Sequence, residues 1–256
     1  MKQTLLFGRP GNKENDIKYF KHLLPLDSSI IVEPFGGSFA VCRKIYNDEK
    51  YNKFVNDNDN VLTEIYNKPE EYLNLNIKLT NKALNHLNQK NHVIYKQFIQ
   101  DVNNDDTIDK NSIMFKYWVD TKIFKSSTVS ITKNINCTEQ INLMKQINFS
   151  NVDYTKTIDK FKHNENAFIF IDPPYLFSDN SNYMQQKRKD GADITDIFIY
   201  LLNLLKSKKT KAKIMIIIND MKVLRWLFKK YVKLDYEKKY SVSGRKEKLL
   251  VITNYN

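Results

Sequence analysis

The sequence predicts an α/β fold in which helices cover both faces of a largely parallel sheet. Apolar segments of strand length alternate along the chain with segments of helical periodicity, which is typical of layered α/β domains. The runs at 167–171 and 214–218 are entirely apolar, as expected of strands buried on both faces. Hydrophobic residues make up 41% of the 256 positions, which is enough to form a packed core.

The individual elements follow from the apolar pattern and from the turn residues between segments. The sequence predicts strands at 29–32, 53–56, 167–171 and 214–218, and a closing hairpin formed by 236–243 and 248–254. It predicts helices at 14–23, 39–46, 60–66, 193–205 and 222–231.

The stretch 67–148 interrupts this alternation. It is polar, rich in Asn and Lys, and mostly helical where it is periodic, at 72–87 and 95–102. We therefore predict an inserted subdomain at 67–148, with the main domain formed by 1–66 and 149–256. About eighty residues is a reasonable size for such a module.

The composition excludes several classes of protein. The apolar runs are far shorter than the roughly 20 residues that span a bilayer, and the N-terminus lacks the apolar stretch of a signal peptide. The two cysteines, Cys42 and Cys137, form no CxxC pair, and the four histidines show no ligand spacing. We expect a soluble cytoplasmic protein without membrane association, disulfide or metal site.

The charge favours a polyanionic partner. Lys and Arg number 41 against 29 Asp and Glu, which gives a net charge of +12. Such an excess is the electrostatic footprint of nucleic-acid binding. The alternative is codon bias, because the chain is also rich in the Asn, Ile and Tyr that AT-rich codons encode.

Two strand ends carry the pattern of a nucleoside site. The first strand leads into Glu33-Pro34 and the turn Gly36-Gly37, and the second strand ends at Asp57. Glycines allow a ligand close to the backbone, and an acidic residue after the second strand commonly holds ribose hydroxyls. Neither GxGxxG nor GxxxxGK[ST] is present, which makes NAD and ATP less attractive.

The third strand ends in Asp172-Pro173-Pro174-Tyr175. The prolines stiffen the chain and leave carbonyl oxygens without neighbouring amide donors. A carboxylate beside a fixed carbonyl is a pair of acceptors suited to a planar amino group, and an adjacent aromatic ring can stack on a base.

With these motifs together, the chain resembles the S-adenosylmethionine-dependent DNA adenine-N6 methyltransferases of the α-type motif order, typified by the orphan GATC enzymes. The likeness includes Glu33–Gly37, the Asp57 stretch, the DPPY motif at 172–175 and the C-terminal segment 247–255. It implies a Rossmann-like sheet with helices on both faces and a target-recognition insert. It also implies transfer of a methyl group to the N6 amino group of adenine in DNA, with S-adenosylhomocysteine as product and without a metal.

The resemblance implies a set of site residues. Asp172 and the Pro173 carbonyl would accept the two N–H groups of the target amine, Pro174 would stiffen the segment, and Tyr175 would stack on the flipped base. The cofactor residues would be Phe7, Arg9, Gly11, Lys13, Glu33, Pro34, Phe35, Gly36, Gly37, Ser38, Asp57, Asp153, Tyr154 and Asp172.

The sequence departs from the family at two places. Phe39 stands where the family loop has its second glycine, and the insert lacks the family's Asn-Val-Pro hairpin. Recognition of GATC is therefore not carried over.

Double-stranded DNA is the expected partner, and a cognate restriction endonuclease and the oligomeric state stay open. Basic residues interleaved with aromatics in the insert, a polar loop after DPPY and the closing hairpin are the expected contacts. These residues are Lys116, Tyr117, Trp118, Lys122, Lys125, Tyr183, Lys187, Arg188 and Arg245. The insert aromatics have the alternative role of forming the insert's own core.

Other functions remain as alternatives. An RNA adenine-N6 or DNA cytosine-N4 methyltransferase would use a similar motif, although cytosine enzymes tend to carry Ser where this chain has Asp172. A degenerate homologue that binds nucleic acid without catalysis is the third alternative, because of Phe39.

Overall fold

The computed structural model describes residues 13–86, 95–122, 138–176, 194–239 and 246–256. It is an α/β structure, as predicted, with a seven-stranded mixed sheet. The strands are β1 (Ile30–Glu33), β2 (Asn52–Asn56), β3 (Ile147–Ser150), β4 (Ala167–Ile171), β5 (Lys213–Asn219), β6 (Val232–Lys239) and β7 (Lys246–Thr253).

The described residues form ten α-helices. They are α1 (Ile17–Phe20), α2 (Ala40–Lys44), α3 (Asn60–Asn67), α4 (Pro69–Leu84), α5 (Tyr95–Asn103), α6 (Ile113–Lys122), α7 (Thr138–Met144), α8 (Tyr154–Phe161), α9 (Ile194–Lys206) and α10 (Lys222–Leu227). Seven of these ten described helices overlap predicted ones, whereas α6, α7 and α8 were not predicted individually and α10 ends four residues before its predicted end. The helix predicted over 14–23 is one α-helical turn followed by a tighter 3-10 turn at Lys21–Leu23. Strand β3 was not predicted.

The strand order in the sheet is β3-β2-β1-β4-β5-β7-β6. Strand β1 is parallel to both β2 and β4, and β4 is parallel to β5. Strand β7 runs antiparallel to β5 and to β6, which confirms the closing hairpin. After β1 the chain continues to β2 on one side of that strand, and it later returns to form β4 on the other side. The carboxyl ends of β1 and β4 therefore flank a topological switch point, where α/β sheets bind ligands.

Both faces of the sheet are covered. On one face, alternate residues of β4 and β5 pack against α8, α9 and α10 in a single buried cluster. On the other face, Phe20 of α1 packs on Phe170 with the ring centroids 5.7 Å apart, and Tyr46 packs on Phe168 at 5.8 Å. Burial of β4 and β5 from both sides explains their continuous apolar sequences.

The described chain separates into two compact units. One, here called the sheet unit, comprises Gly11–Asn58 and Ser150–Asn256, and the other, here called the helical unit, comprises Asp59–Phe149. The second range resembles the insert expected at 67–148, but it also takes in α3. The role of that range as an inserted target-recognition subdomain stays a prediction.

The helical unit has a core of its own around Trp118. The indole is 1% exposed, and its Nε1 donates a hydrogen bond to Asn76 Oδ1 at 2.8 Å. Its ring centroid lies 5.8 Å from that of Phe98. At the surface of the same unit, the Lys82 ammonium bridges Asp101 and Asp105 at 2.9 and 3.2 Å and so joins α4 to the end of α5.

Among the described residues, no helix combines the length and the apolar character that crossing a membrane requires.

Replacing Trp118 with Phe is expected to destabilise the protein by about 1–3 kcal/mol. The change leaves the buried side-chain oxygen of Asn76 without the indole N–H donor, and it removes volume from the core. Urea unfolding monitored by circular dichroism would measure the loss. The matched control is Ile113→Val on the same helix, whose side chain is 41% exposed and whose change should stay within about 0.5 kcal/mol. Equal effects of the two variants would contradict a core role for Trp118.

Candidate functional site

The glycine turn after β1 lies directly against β2. The Gly36 N–H donates to the Asn56 carbonyl at 2.7 Å. A Cβ atom on Gly36 would lie 2.4 Å from Val55 Cγ1 and 3.1 Å from the Asn56 oxygen, so no larger residue fits without movement. Gly37 has φ +49°, in the left-handed region that favours glycine. The two glycines therefore meet two different requirements, close approach at Gly36 and backbone conformation at Gly37.

The turn brings the end of β2 into the site. The Gly37 N–H donates to Asp57 Oδ2 at 2.8 Å, so the predicted ribose carboxylate and the predicted cofactor loop lie together. Asn56 braces this junction. Its side-chain nitrogen donates to the carbonyls of Pro34 and Val152, at 3.1 and 2.9 Å, and its side-chain oxygen accepts the Val152 N–H at 3.0 Å. Sequence reasoning missed Asn56, although a buried amide directly before Asp57 was a signal.

Phe39 adopts a left-handed backbone conformation, which glycine favours. Its φ and ψ are 40° and 46°, and it is the one non-glycine residue with positive φ among the described positions. A left-handed conformation costs an ordinary residue about 1–2 kcal/mol. The Phe39 side chain is 1% exposed, and this burial offsets the strain. The turn that precedes α2 thus accommodates phenylalanine at this position.

An aromatic pair and a capped helix flank the loop. The rings of Phe35 and Tyr154 stack with centroids 4.9 Å apart. Asp153 caps α8 by accepting the Thr155 N–H at 2.9 Å, which orients Tyr154 at the first position of the helix. The predicted acidic and aromatic pair at 153–154 therefore lies beside the predicted loop residue Phe35.

The DPPY segment continues from the carboxyl end of β4. Asp172 Oδ2 lies 2.7 Å from Lys13 Nζ, and the same ammonium lies 5.1 Å from the centre of the Tyr175 ring. Burial raises the pKa of Asp172, and the Lys13 charge opposes that rise. Burial also disfavours the Lys13 charge, but Asp172, Tyr236 and Asp16 together raise the pKa of Lys13 above its usual value. The pair is therefore an ammonium held against a half-buried carboxylate.

Asn219, at the end of β5, anchors the chain just past the motif. Its side-chain nitrogen donates to the Leu176 carbonyl at 2.9 Å. The Asn219 Oδ1 atom is buried and accepts no hydrogen bond from the residues that the structure describes. Asn219 is not among the site residues predicted from the sequence.

Glu33 ends β1 inside the sheet unit and is 2% exposed. Its Oε1 accepts the Cys42 N–H at 2.6 Å, which ties the strand end to α2. Burial raises the pKa of Glu33 to about 7, and the Asp172 charge contributes in the same direction. Cys42 is fully buried beside it, as expected of a core residue.

The expected nucleic-acid contacts within the described residues all lie on α6. Lys116 is exposed on α6, and Tyr117 is half-buried with its ring 5.9 Å from that of Tyr72. Trp118 lies in the core of the helical unit, which is the alternative role considered for the aromatic residues of the insert. Its buried ring is not available to a duplex. Lys122 is the last residue of α6.

Several predicted site residues lie outside the described part of the chain. From the cofactor set these are Phe7, Arg9 and Gly11, and from the nucleic-acid set they are Lys125, Tyr183, Lys187, Arg188 and Arg245. Cys137 also lies outside it.

No protein-family model matches the chain, and no curated protein matches it either. The functional interpretation therefore depends on the motifs and on the geometry of the sheet unit.

Replacing Gly36 with Ala is expected to destabilise the protein by about 1–3 kcal/mol, because Val55 is a stiff, buried neighbour and the Asn56 carbonyl cannot yield without breaking the turn. Gly37→Ala is the matched variant. Its new methyl group meets nothing within 4 Å, so it carries only the cost of the left-handed backbone, about 1 kcal/mol. Chemical denaturation would compare the two. A larger loss in Gly37→Ala would contradict the close approach at Gly36.

Glu33→Gln is expected to gain stability relative to the wild type as the pH rises. A carboxyl whose folded pKa is raised contributes stability below its usual pKa of 4.5, and loses that contribution as the pH rises through about 7. The difference in unfolding free energy, variant minus wild type, should increase by about 1–3 kcal/mol between pH 5 and pH 8.

Urea titrations at the two pH values would measure this difference. Glu49→Gln, the same substitution at an exposed position, serves as the control. A flat difference for Glu33→Gln would mean that Glu33 is already ionised at pH 5.

Proposed function

We propose that this chain is a DNA adenine-N6 methyltransferase that takes its methyl group from S-adenosylmethionine. The observation that carries the proposal is the position of Asp172. It follows β4 at the switch point of the sheet, next to the strand whose end bears the glycine turn. A carboxylate, two prolines and a half-buried tyrosine thus lie at the sheet edge where α/β domains bind ligands.

The residues around β1 and β2 suit the nucleoside part of the cofactor. Asp57 supplies a carboxylate for ribose hydroxyls, and its bond to Gly37 fixes it at the loop. Gly36 and Gly37 permit close approach of a ligand to the backbone. The stacked rings of Phe35 and Tyr154 offer an aromatic surface for a purine. The bound cofactor would supply a methyl group already activated by a sulfonium sulfur.

The DPPY segment would then hold the acceptor. The amino nitrogen of adenine is a poor nucleophile, because its lone pair is delocalised into the ring. The Asp172 carboxylate and the Pro173 carbonyl would each accept one of its N–H groups, which favours a pyramidal nitrogen with its lone pair free. The task of these residues is to orient the nitrogen within about 3–3.5 Å of the methyl carbon. As the N–C bond forms and the methyl–sulfur bond breaks, the surplus amino proton would leave along the hydrogen bond to the Asp172 carboxylate.

Two features support nucleic acid as the substrate. The net charge of +12 suits a polyanion. Tyr175 is half-buried beside Asp172, where its ring could stack on an extruded base, an interaction worth about 1–3 kcal/mol. We choose DNA over RNA, and adenine over cytosine, because of the motif resemblance and the aspartate at position 172.

Incubating the protein with S-adenosylmethionine and unmethylated duplex DNA should produce N6-methyladenine, which mass spectrometry of the digested nucleosides detects. Asp172→Ala should lower the single-turnover rate at least about 10²-fold, because it removes one of two acceptors in the transition state. The matched control is Asp27→Ala, an exposed aspartate outside the site, which should retain the wild-type rate.

The product distinguishes the alternatives. Formation of N4-methylcytosine would support methyl transfer but identify cytosine as the target base. Methylation of single-stranded RNA alone would identify RNA as the substrate. If the wild-type protein neither binds S-adenosylmethionine nor methylates any of these substrates, the result would contradict the proposal and favour a non-catalytic protein.

A further inference from the structure

A second buried charge cluster lies next to Lys13. Asp16 is 2% exposed, and its Oδ2 accepts a hydrogen bond from Lys238 Nζ at 2.8 Å. The Tyr236 hydroxyl donates to the same oxygen at 3.3 Å. Both partners come from β6, so the C-terminal hairpin contacts the beginning of the described chain. The mechanism proposed above uses none of these three residues.

A tight turn connects this cluster to Lys13. The Lys13 carbonyl accepts the N–H groups of Asp16 and Ile17, at 2.9 and 3.1 Å. Just beyond the turn, the rings of Tyr19 and Tyr236 stack with centroids 4.6 Å apart. Strand β6 therefore holds the turn that carries Lys13 both by charge and by packing.

The Lys13 ammonium in turn sits on Asp172. The charged and titratable groups that face this carboxyl come from three parts of the sheet unit. They are Lys13 and Asp16 from the turn, Glu33 from β1, and Tyr236 and Lys238 from β6. Tyr175, from the same segment as Asp172, faces the Lys13 ammonium. Because Asp172 is largely removed from water, its ionisation depends on how firmly the Lys13 ammonium is held against it.

We propose that Asp16, Tyr236 and Lys238 are positioning residues that fix the turn at 13–16, so that Lys13 keeps Asp172 ionised and oriented. Their catalytic meaning rests on the function proposed above. The structural claim, that the cluster controls the state of Asp172, stands apart from it and has a readout of its own.

Asp16→Asn is the decisive variant, because two explanations predict shifts of opposite sign. Removal of a negative charge near Asp172 would by itself make that carboxyl easier to ionise, and its titration would move to lower pH. Release of the turn would weaken the Lys13 contact, and the titration would move to higher pH. We expect the second result, with a shift of about 1 pH unit.

The titration of Asp172 would be followed by NMR on protein labelled with ¹³C at the aspartate carboxyl carbons, with Asp172→Asn to assign its signal. In parallel, the acid limb of the methyl-transfer rate against pH should move upward in the same variants. Tyr236→Phe, which removes only the hydroxyl and keeps the ring, should give a smaller upward shift. Lys238→Met should also shift the Asp172 titration upward, whereas Lys238→Arg, which keeps the positive charge, should retain the wild-type titration.

Asp27→Asn makes the same change of charge at an exposed position and should leave the Asp172 titration unchanged. Thermal melts would show that each variant is folded. A downward or absent shift in folded Asp16→Asn would overturn the proposal. An upward shift in a protein that methylates nothing would support the positioning role and overturn the proposed function instead.

Discussion

The parallel pairing of β1 with β2 on one side and with β4 on the other is the constraint on which the candidate site depends. It brings three strand ends to one edge of the sheet, and each end carries a carboxylate: Glu33 in β1, Asp57 after β2 and Asp172 after β4. Two hydrogen bonds then join the ends of β1 and β2, since the Gly36 N–H donates to the Asn56 carbonyl and the Gly37 N–H donates to Asp57 Oδ2. A displaced register would separate these groups, because neighbouring strands share their hydrogen bonds.

The three carboxylates are held in three different ways, and this gives them different chemistry. Asp57 is joined to a backbone N–H beside the glycine turn. Glu33 is buried and accepts the Cys42 N–H, and its pKa is raised to about 7. Asp172 faces an ammonium. A carboxylate bonded to the glycine turn, a carboxyl with its pKa raised to about 7 and an ion-paired carboxylate thus lie at one sheet edge, because their environments differ.

The strands with the strongest pattern were the easiest to predict. Strand β4 occupies the predicted range 167–171 in full, because five consecutive apolar residues buried on both faces leave no ambiguity. Strand β3 was missed, since Ile147–Ser150 is short, half polar and adjacent to a helical segment. Helix α1 is shorter than predicted, because the chain continues after Phe20 as a 3-10 turn at Lys21–Leu23.

The candidate site likewise has parts that were predicted and parts that were not. The motifs at 33–37, 57 and 172–175 could be recognised from the amino-acid sequence, because each combines a strand end with residues of restricted conformation or of fixed chemistry. The folded structure was needed to show that Asn56 braces the loop, that Trp118 packs inside its unit, and that Asp16 contacts Lys238. Those contacts join residues far apart in the chain, and no local pattern encodes which distant partner a buried polar group will find.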